Sequence, residues 1–190
     1  MNIKITSTIS ITEILETDRP AYLKHLNATN VGEWMGCFAY PYLESDCDLG
    51  FVRMKERKEK YGYATDFAIR KDSELIGGIS IYDYNPKHLP DVNKRDLGIN
   101  NSTNHHWASI GYWLADEFAG KGIMSEAIAK FVPHIMKEFN LIRLEATVVN
   151  PNIASVKVLE RNGFVLEGVC KKFHLKNGEY FDRLIFAKVL

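Results

Sequence analysis

The stretch that most constrains this chain runs from residue 107 to residue 139. It opens with "WASIGYWLA" (107–115), a β-rich run, passes through a glycine pair at Gly120 and Gly122, and continues as a helix-forming segment. There Ile123, Ala127, Ile128, Phe131, Val132, Ile135, Met136 and Phe139 fall at helical spacing, so one face packs on a sheet and the stripe is core. Pro133 lies inside the pattern, where it removes an amide donor and crowds the preceding turn, so a kink is expected. Glycine is entropically costly to order, so this pair points to positive φ angles or to a ligand approaching the backbone. A plain Gly-rich turn is the alternative. Strand, short loop and helix in that order aim free backbone N–H groups and the positive helix end at an anion, and Lys121 adds a charge. A phosphate group is the natural guest.

The rest of the chain supplies the frame for that junction. β-type runs occupy 7–14, 64–71, 75–84, 107–115, 142–149, 164–175 and 179–189, and helical stretches fit 18–29, 46–61, 121–139 and 152–162. The helix at 46–61 opens with Ser45 and Asp48 at capping-box spacing. No internal repeat or low-complexity segment interrupts the pattern. It predicts one α/β domain over residues 1–190, which is long enough to bury a substantial core. Its centre is a twisted mixed sheet of about seven strands flanked by about four helices. The stretch 85–106, "NPKHLPDVNKRDLGINNSTNHH", carries turn formers and charges between two strands and is expected to be a substrate loop.

Composition excludes several classes. Basic and acidic residues balance at 24 each, so no global field favours nucleic acid or anionic lipid, although a local basic patch stays open. The start "MNIKITSTIS" lacks a signal-peptide apolar region, and no apolar run reaches the roughly 18 residues of a membrane span. A soluble, cytoplasmic protein is expected. Cys37, Cys47 and Cys170 are odd in number and lack CxxC spacing, which argues for reduced structural thiols over disulfides or a cysteine zinc site. The adjacent His105 and His106 are poorly spaced for one metal, so no metal is expected.

Three phosphate-binding devices compete for the glycine pair. A Walker loop requires GxxxxGK[ST], but Gly122 and Ile123 follow Lys121. A dinucleotide fingerprint requires GxGxxG with an acid some 20 residues on; the third glycine position is Ser125, and Glu145 begins the next strand rather than ending it. The third device is an acyl-CoA loop. "IGYWLADEFAGKGIMSEA" followed by "NPNIASVKVLERNGFVLEG" and "KNGEYFDRLIFA" resembles the Gcn5-related N-acetyltransferase (GNAT) superfamily, in its branch that acetylates ribosomal-protein N termini. The resemblance is strongest over 107–190. It implies a pyrophosphate loop at Ala119, Gly120, Lys121, Gly122, Ile123 and Met124, where only Gly122 matches the family pattern strictly, with Ser125 adding a hydroxyl. The guest implied is acetyl-CoA. Asn152, Ser155, Glu160, Gly163 and Phe164 fall in the family's second block, which sets Asn152 and Ser155 against the pantetheine arm and sulfur. Asn152 as a simple helix cap is the alternative, and Gly163 and Phe164 read as helix stop and core anchor.

The same resemblance assigns the chemistry. Backbone N–H groups near Trp113 and Leu114 are expected to hold the thioester, with Trp113 otherwise plain core. Leu159 stands where many relatives carry a tyrosine acid, so Ser155 is the candidate to assist the departing sulfur. Ser109 replaces a common glutamate, and His174 aligns with another, which makes His174 the candidate base. A surface or core histidine is the alternative. Asp182 matches an acid of this branch that orients a strand or binds the substrate amine. Acceptor contacts are expected from Tyr40, Tyr42, Tyr82, Tyr84 and the 85–106 stretch. An α-amine, pKa about 7.7–8.0, is far more neutral near pH 7.5 than a lysine amine near 10.4, so a weak base suits a protein N terminus; the resemblance implies that of a ribosomal protein. A small amine acceptor and a silent acyl-CoA sensor remain open. Relatives are often dimers, which leaves a homodimer open.

Overall fold

The computed structural model describes residues 1–28, 31, 34, 41–82, 107–176 and 178–190. Its strands are β1 (Asn2–Lys4), β2 (Ile9–Glu13), β3 (Asp66–Lys71), β4 (Glu74–Tyr82), β5 (Trp107–Leu114), β6 (Arg143–Val149), β7 (Val165–Lys176) and β8 (Glu179–Val189). The helices that concern the site are α1 (Arg19–Leu26), α2 (Glu44–Tyr61), α3 (Ile123–Glu138) and α4 (Ile153–Arg161). One sheet holds all eight strands in the order β1-β2-β3-β4-β5-β6-β8-β7. Among the described residues only β5 and β6 run parallel, because α3 carries the chain back across the sheet between them; the other neighbours are antiparallel.

The seven expected strands correspond to β2 through β8, and the eighth is β1. With 3 residues it is too short for an alternation to be legible, and its pairing with β2 defines it. The expected capping box at Ser45 and Asp48 does not form. α2 begins earlier, so the Asp46 carboxylate is the one that accepts the Leu43 N–H, at 2.9 Å. Asp48 instead pairs with Arg19 of α1. α3 continues through Pro133, and Ala129, whose carbonyl loses that donor, lies on the exposed side.

Period-two alternation splits the core into two layers. Phe67, Ile69, Ile79, Ile110 and Leu144 face Ile128, Phe131 and Ile135 of α3 on one side. Ala68, Leu75 and Trp113 face Tyr22 of α1 and Phe51 of α2 on the other. β3 and β4 are therefore buried on both faces, and β5 forms part of both layers. That clamps the strand that leads into the glycines.

Candidate active site

The parallel pair forms a fork. β5 and β6 are in register only at Trp107↔Arg143, Ala108↔Leu144 and Ser109↔Glu145. Beyond that rung β5 continues along β4 while β6 continues along β8. Ala115 donates to the Ile76 carbonyl at 2.8 Å, so strand alternation turns the Trp113 amide toward β4 and the Tyr112 and Leu114 amides into the fork. Of the expected pair, then, only Leu114 offers its N–H there. Trp113 is core, 8% exposed, with its ring edge-on to Tyr22 at 5.4 Å.

The glycine loop lies at the open end of the fork. Gly120 and Gly122 adopt φ of 73° and 79°, and a Cβ built on either meets nothing within 4 Å. Their requirement is backbone conformation, since neighbouring packing does not exclude a side chain. Gly122 caps α3 without side-chain help, and the first amide to bond back to it is that of Glu126, at 3.1 Å. The amides of Ile123, Met124 and Ser125 therefore lack an intrahelical acceptor and stand at the positive helix end. Ala119, Gly120, Lys121 and Gly122 are exposed, whereas the Met124 side chain is buried, leaving its backbone as the part that can meet a ligand. Lys121 donates to the Glu117 carbonyl at 2.8 Å. The Ser125 hydroxyl is buried without a hydrogen-bond partner, an arrangement that costs roughly 1–3 kcal/mol unless something accepts or donates there. Free amides, a lysine and an unsatisfied hydroxyl together suit the pyrophosphate of a CoA-type ligand.

α4 brings the second group of residues to the same end, because it follows the carboxyl end of β6 as α3 follows that of β5. Ligands of open α/β sheets bind outside such strand ends. Asn152 caps α4, its Oδ1 accepting the Ser155 N–H at 3.1 Å. The Ser155 hydroxyl lies 2.9 Å from the Tyr112 phenol oxygen of β5. Burial pushes the Tyr112 ionisation up to about 12, against a smaller downward effect of Ser155. Tyr112 is a residue that sequence reasoning missed. The available signal was its alternation with Ile110 and Leu114 onto a core-facing side, where a phenol hydroxyl needs a partner.

The chain matches the family model described as the acetyltransferase (GNAT) domain over residues 9–165. It belongs to the GNAT acetyltransferase family. A ribosomal-protein-serine acetyltransferase of Escherichia coli (strain K12) is 35% identical over 131 residues, 68% of this chain and 63% of that protein, so the match spans less than two thirds of that relative. YoaA, an uncharacterized N-acetyltransferase of Bacillus subtilis (strain 168), is 30% identical over 184 residues, 97% of this chain and 94% of that one. Among solved structures, RimL, a ribosomal α-N-protein acetyltransferase in complex with coenzyme A, aligns with a TM-score of 0.80 at 24% identity, covering 100% of this chain and 98% of that one. That likeness establishes a common GNAT fold.

Other sequence candidates are less united. His174, on β7, has its Nε2 3.4 Å from the Arg183 Nε–H of β8. Burial, then the Arg183 charge, holds its pKa below the ordinary histidine value. Asp182 accepts the Lys172 N–H and the Lys171 ammonium, each at 2.9 Å, which lowers its pKa. Lys172 has φ 52° inside a β7 register shift, so Asp182 fastens a bulge. Leu159 is fully buried core. Tyr42, expected at the acceptor, is core at 4% exposure; Tyr82 is exposed on β4. Tyr40, Tyr84, His105, His106, Cys37 and the 85–106 stretch lie outside the described residues. Cys47 is buried, and burial raises its thiol pKa; Cys170 is half-buried on β7. Among the described residues no group of three or more His, Cys, Asp or Glu could hold a metal, and no helix is long and apolar enough to cross a membrane.

Proposed function

We propose that this chain is an acetyl-CoA-dependent N-acetyltransferase acting in the cytoplasm on a protein N-terminal α-amine, with a ribosomal-protein-like terminus as the leading acceptor. The observation that carries the reading is the fork: two parallel strands part at Ser109↔Glu145, at the end where free α3 amides, the Leu114 amide and the Ser155 hydroxyl are gathered. The ribosomal acceptor is supported by the name of the Escherichia coli relative and by the protonation argument for α-amines.

In this reading Gly120, Lys121, Gly122 and the amides of Ile123, Met124 and Ser125, with the Ser125 hydroxyl, hold the pyrophosphate, and Ala119 lines the loop. Asn152 sets the start of α4 beside the pantetheine arm. The Leu114 N–H stabilises charge developing on the thioester oxygen, a type of contact worth about 10²–10³ in turnover where measured. As the amine nitrogen bonds to the carbonyl carbon and the carbon–sulfur bond breaks, Ser155 hydrogen-bonds the departing sulfur. A thiol with pKa about 8.5 leaves readily near neutral pH, so weak assistance suffices. His174 is the proposed acceptor of the amine proton; its Nε2 must exchange the Arg183 contact for the proton it takes. Asp182 acts by holding the β7 bulge beside it, and Tyr40 and Tyr84 are proposed acceptor contacts.

The test is thiol release from acetyl-CoA by the purified chain against N-terminal peptides, polyamines and aminoglycosides. Turnover confined to peptides is expected. Turnover on polyamines or aminoglycosides alone would replace the acceptor class, and CoA binding with no thiol release from any amine would replace the enzyme with a binding module.

A further inference from the structure

Ser155 sits at the third position of α4, and each of its polar groups has a distinct neighbour. Its N–H is taken by the cap, Asn152 Oδ1, at 3.1 Å. Its hydroxyl oxygen lies 2.9 Å from the Tyr112 phenol, which also comes within 3.4 Å of the Ser155 carbonyl oxygen. Tyr112 reaches this helix from β5 on the side of the fork, and no hydroxyl on α4 itself does so: Leu159, one turn on from Ser155, is fully buried. We propose that Tyr112 is a positioning residue that donates to Ser155 Oγ and so turns the single serine proton toward the departing sulfur. This inference rests on the acetyl-transfer reading with Ser155 beside that sulfur.

The direction of the bond follows from the inventory of protons. A serine hydroxyl has one proton and two acceptor lone pairs, and a phenol has one proton. If Ser155 donated to Tyr112, its only proton would be spent and the sulfur would meet lone pairs. If Tyr112 donates, to Oγ, the serine proton is left for a third group. The chemistry of the two hydroxyls favours the second arrangement: the phenol, protonated throughout the neutral range, is more acidic than an alkyl hydroxyl, which makes it the better donor and the serine oxygen the better acceptor. Without Tyr112 the serine hydroxyl is free to turn back onto the carbonyls of its own helix, as serines in helices do. Tyr112 keeps its proton throughout: it orients the donor and transfers nothing.

The experiment compares the wild-type chain with Tyr112→Phe, Ser155→Ala and the double variant, reading kcat and KM for acetyl-CoA with a peptide acceptor and the melting temperature of each. Tyr112→Phe keeps the ring and removes only the hydroxyl. Its kcat should fall about three- to tenfold, the value of one neutral hydrogen bond, with KM for acetyl-CoA and melting temperature near wild type. The double variant should be no slower than Ser155→Ala, because Tyr112 acts only through Ser155. Three results overturn the proposal while leaving Ser155 in place: wild-type kcat in Tyr112→Phe, a change confined to KM or melting temperature, or an equal slowing in both backgrounds. Wild-type kcat in Ser155→Ala removes the serine role, and no thiol release with any amine removes the acetyl-transfer reading; either takes this inference with it. Should Tyr112→Phe fail to fold, 3-fluorotyrosine at position 112 preserves ring and hydroxyl with a more acidic donor. A kcat change that disappears in the Ser155→Ala background is then expected, and no change in either background overturns the proposal.

Discussion

The Trp113 indole rests directly on Gly78: a Cβ built at that glycine comes 2.6 Å from Trp113 Nε1 and 3.2 Å from its Cε2. The two residues are register partners on β4 and β5, so the missing side chain of one makes room for the ring of the other. With Tyr22 edge-on to the ring, this contact fixes β5 just before Leu114 turns its amide into the fork. Gly78→Ala should lower stability by about 1–3 kcal/mol, the usual cost of overpacking a closed site. Denaturant unfolding measures it; an unchanged midpoint would mean that the ring shifts freely and does not fix the strand.

The glycine loop invites the opposite expectation about packing. Nothing lies within 4 Å of a Cβ at Gly120 or Gly122, so alanine meets no clash. It does meet the left-handed φ, at a cost of about 1–2 kcal/mol. Gly122→Ala should therefore lower the melting temperature modestly and, if the loop holds the pyrophosphate as proposed, raise KM for acetyl-CoA well beyond what that loss explains, because the methyl group would enter the open space proposed for the ligand. Titrating coenzyme A against both alanine variants is the check. Wild-type affinity in both would remove the pyrophosphate assignment.

Sequence patterning reached the frame more readily than the site. Strands β2 to β8 and the α3 stripe were legible because alternation and helical spacing repeat over many residues, whereas β1, with 3 residues, has no pattern of its own. The α2 start is misplaced by the capping-box spacing of Ser45 and Asp48, because the bond that forms runs from the Leu43 N–H to the Asp46 carboxylate, and Leu43 has no capping side chain to mark the start. The glycine pair was legible because positive φ restricts residue choice so strongly. Tyr112 was not, since its partner Ser155 lies 43 positions away and only the fork brings them together. Trp113 belongs to the same limit: the family resemblance implies a thioester contact from its amide, with plain core as the alternative, and only the ladder decides which way that amide faces.

For His174 the shift has a sign that kinetics can read. Burial and the Arg183 charge lower its pKa from the ordinary histidine value, so its neutral form is present above a point below that value and is lost as pH falls through it. If His174 accepts the amine proton, the acid limb of the pH–rate profile lies below the ordinary histidine range. His174→Gln should then remove that limb and reduce kcat by about 10²–10⁴, the usual value of general-base assistance. Arg183→Gln removes the opposing charge and should move the limb upward. A profile unchanged in His174→Gln would assign the histidine to the β7–β8 hairpin alone.

Asp182 separates a structural from a substrate role. Its carboxylate holds the Lys172 N–H and the Lys171 ammonium, and Lys172 is a non-glycine residue with φ 52° that needs such a clamp. The hydrogen bond from Lys172 is the leading cause of its lowered pKa, followed by that from Lys171. A carboxylate whose folded pKa is depressed contributes stability that is present above its unfolded pKa and is lost as pH falls through the folded one. Asp182→Ala should therefore lower the melting temperature at neutral pH, and the gap from wild type should close in acid below the usual carboxylate range. Lys172→Gly, which relieves the left-handed strain, should recover part of the loss. An acceptor amine held by Asp182 predicts something else: a raised acceptor KM with an unchanged melting temperature. Measuring both quantities on one variant decides between a carboxylate that meets the substrate and one that shapes the strand beside it.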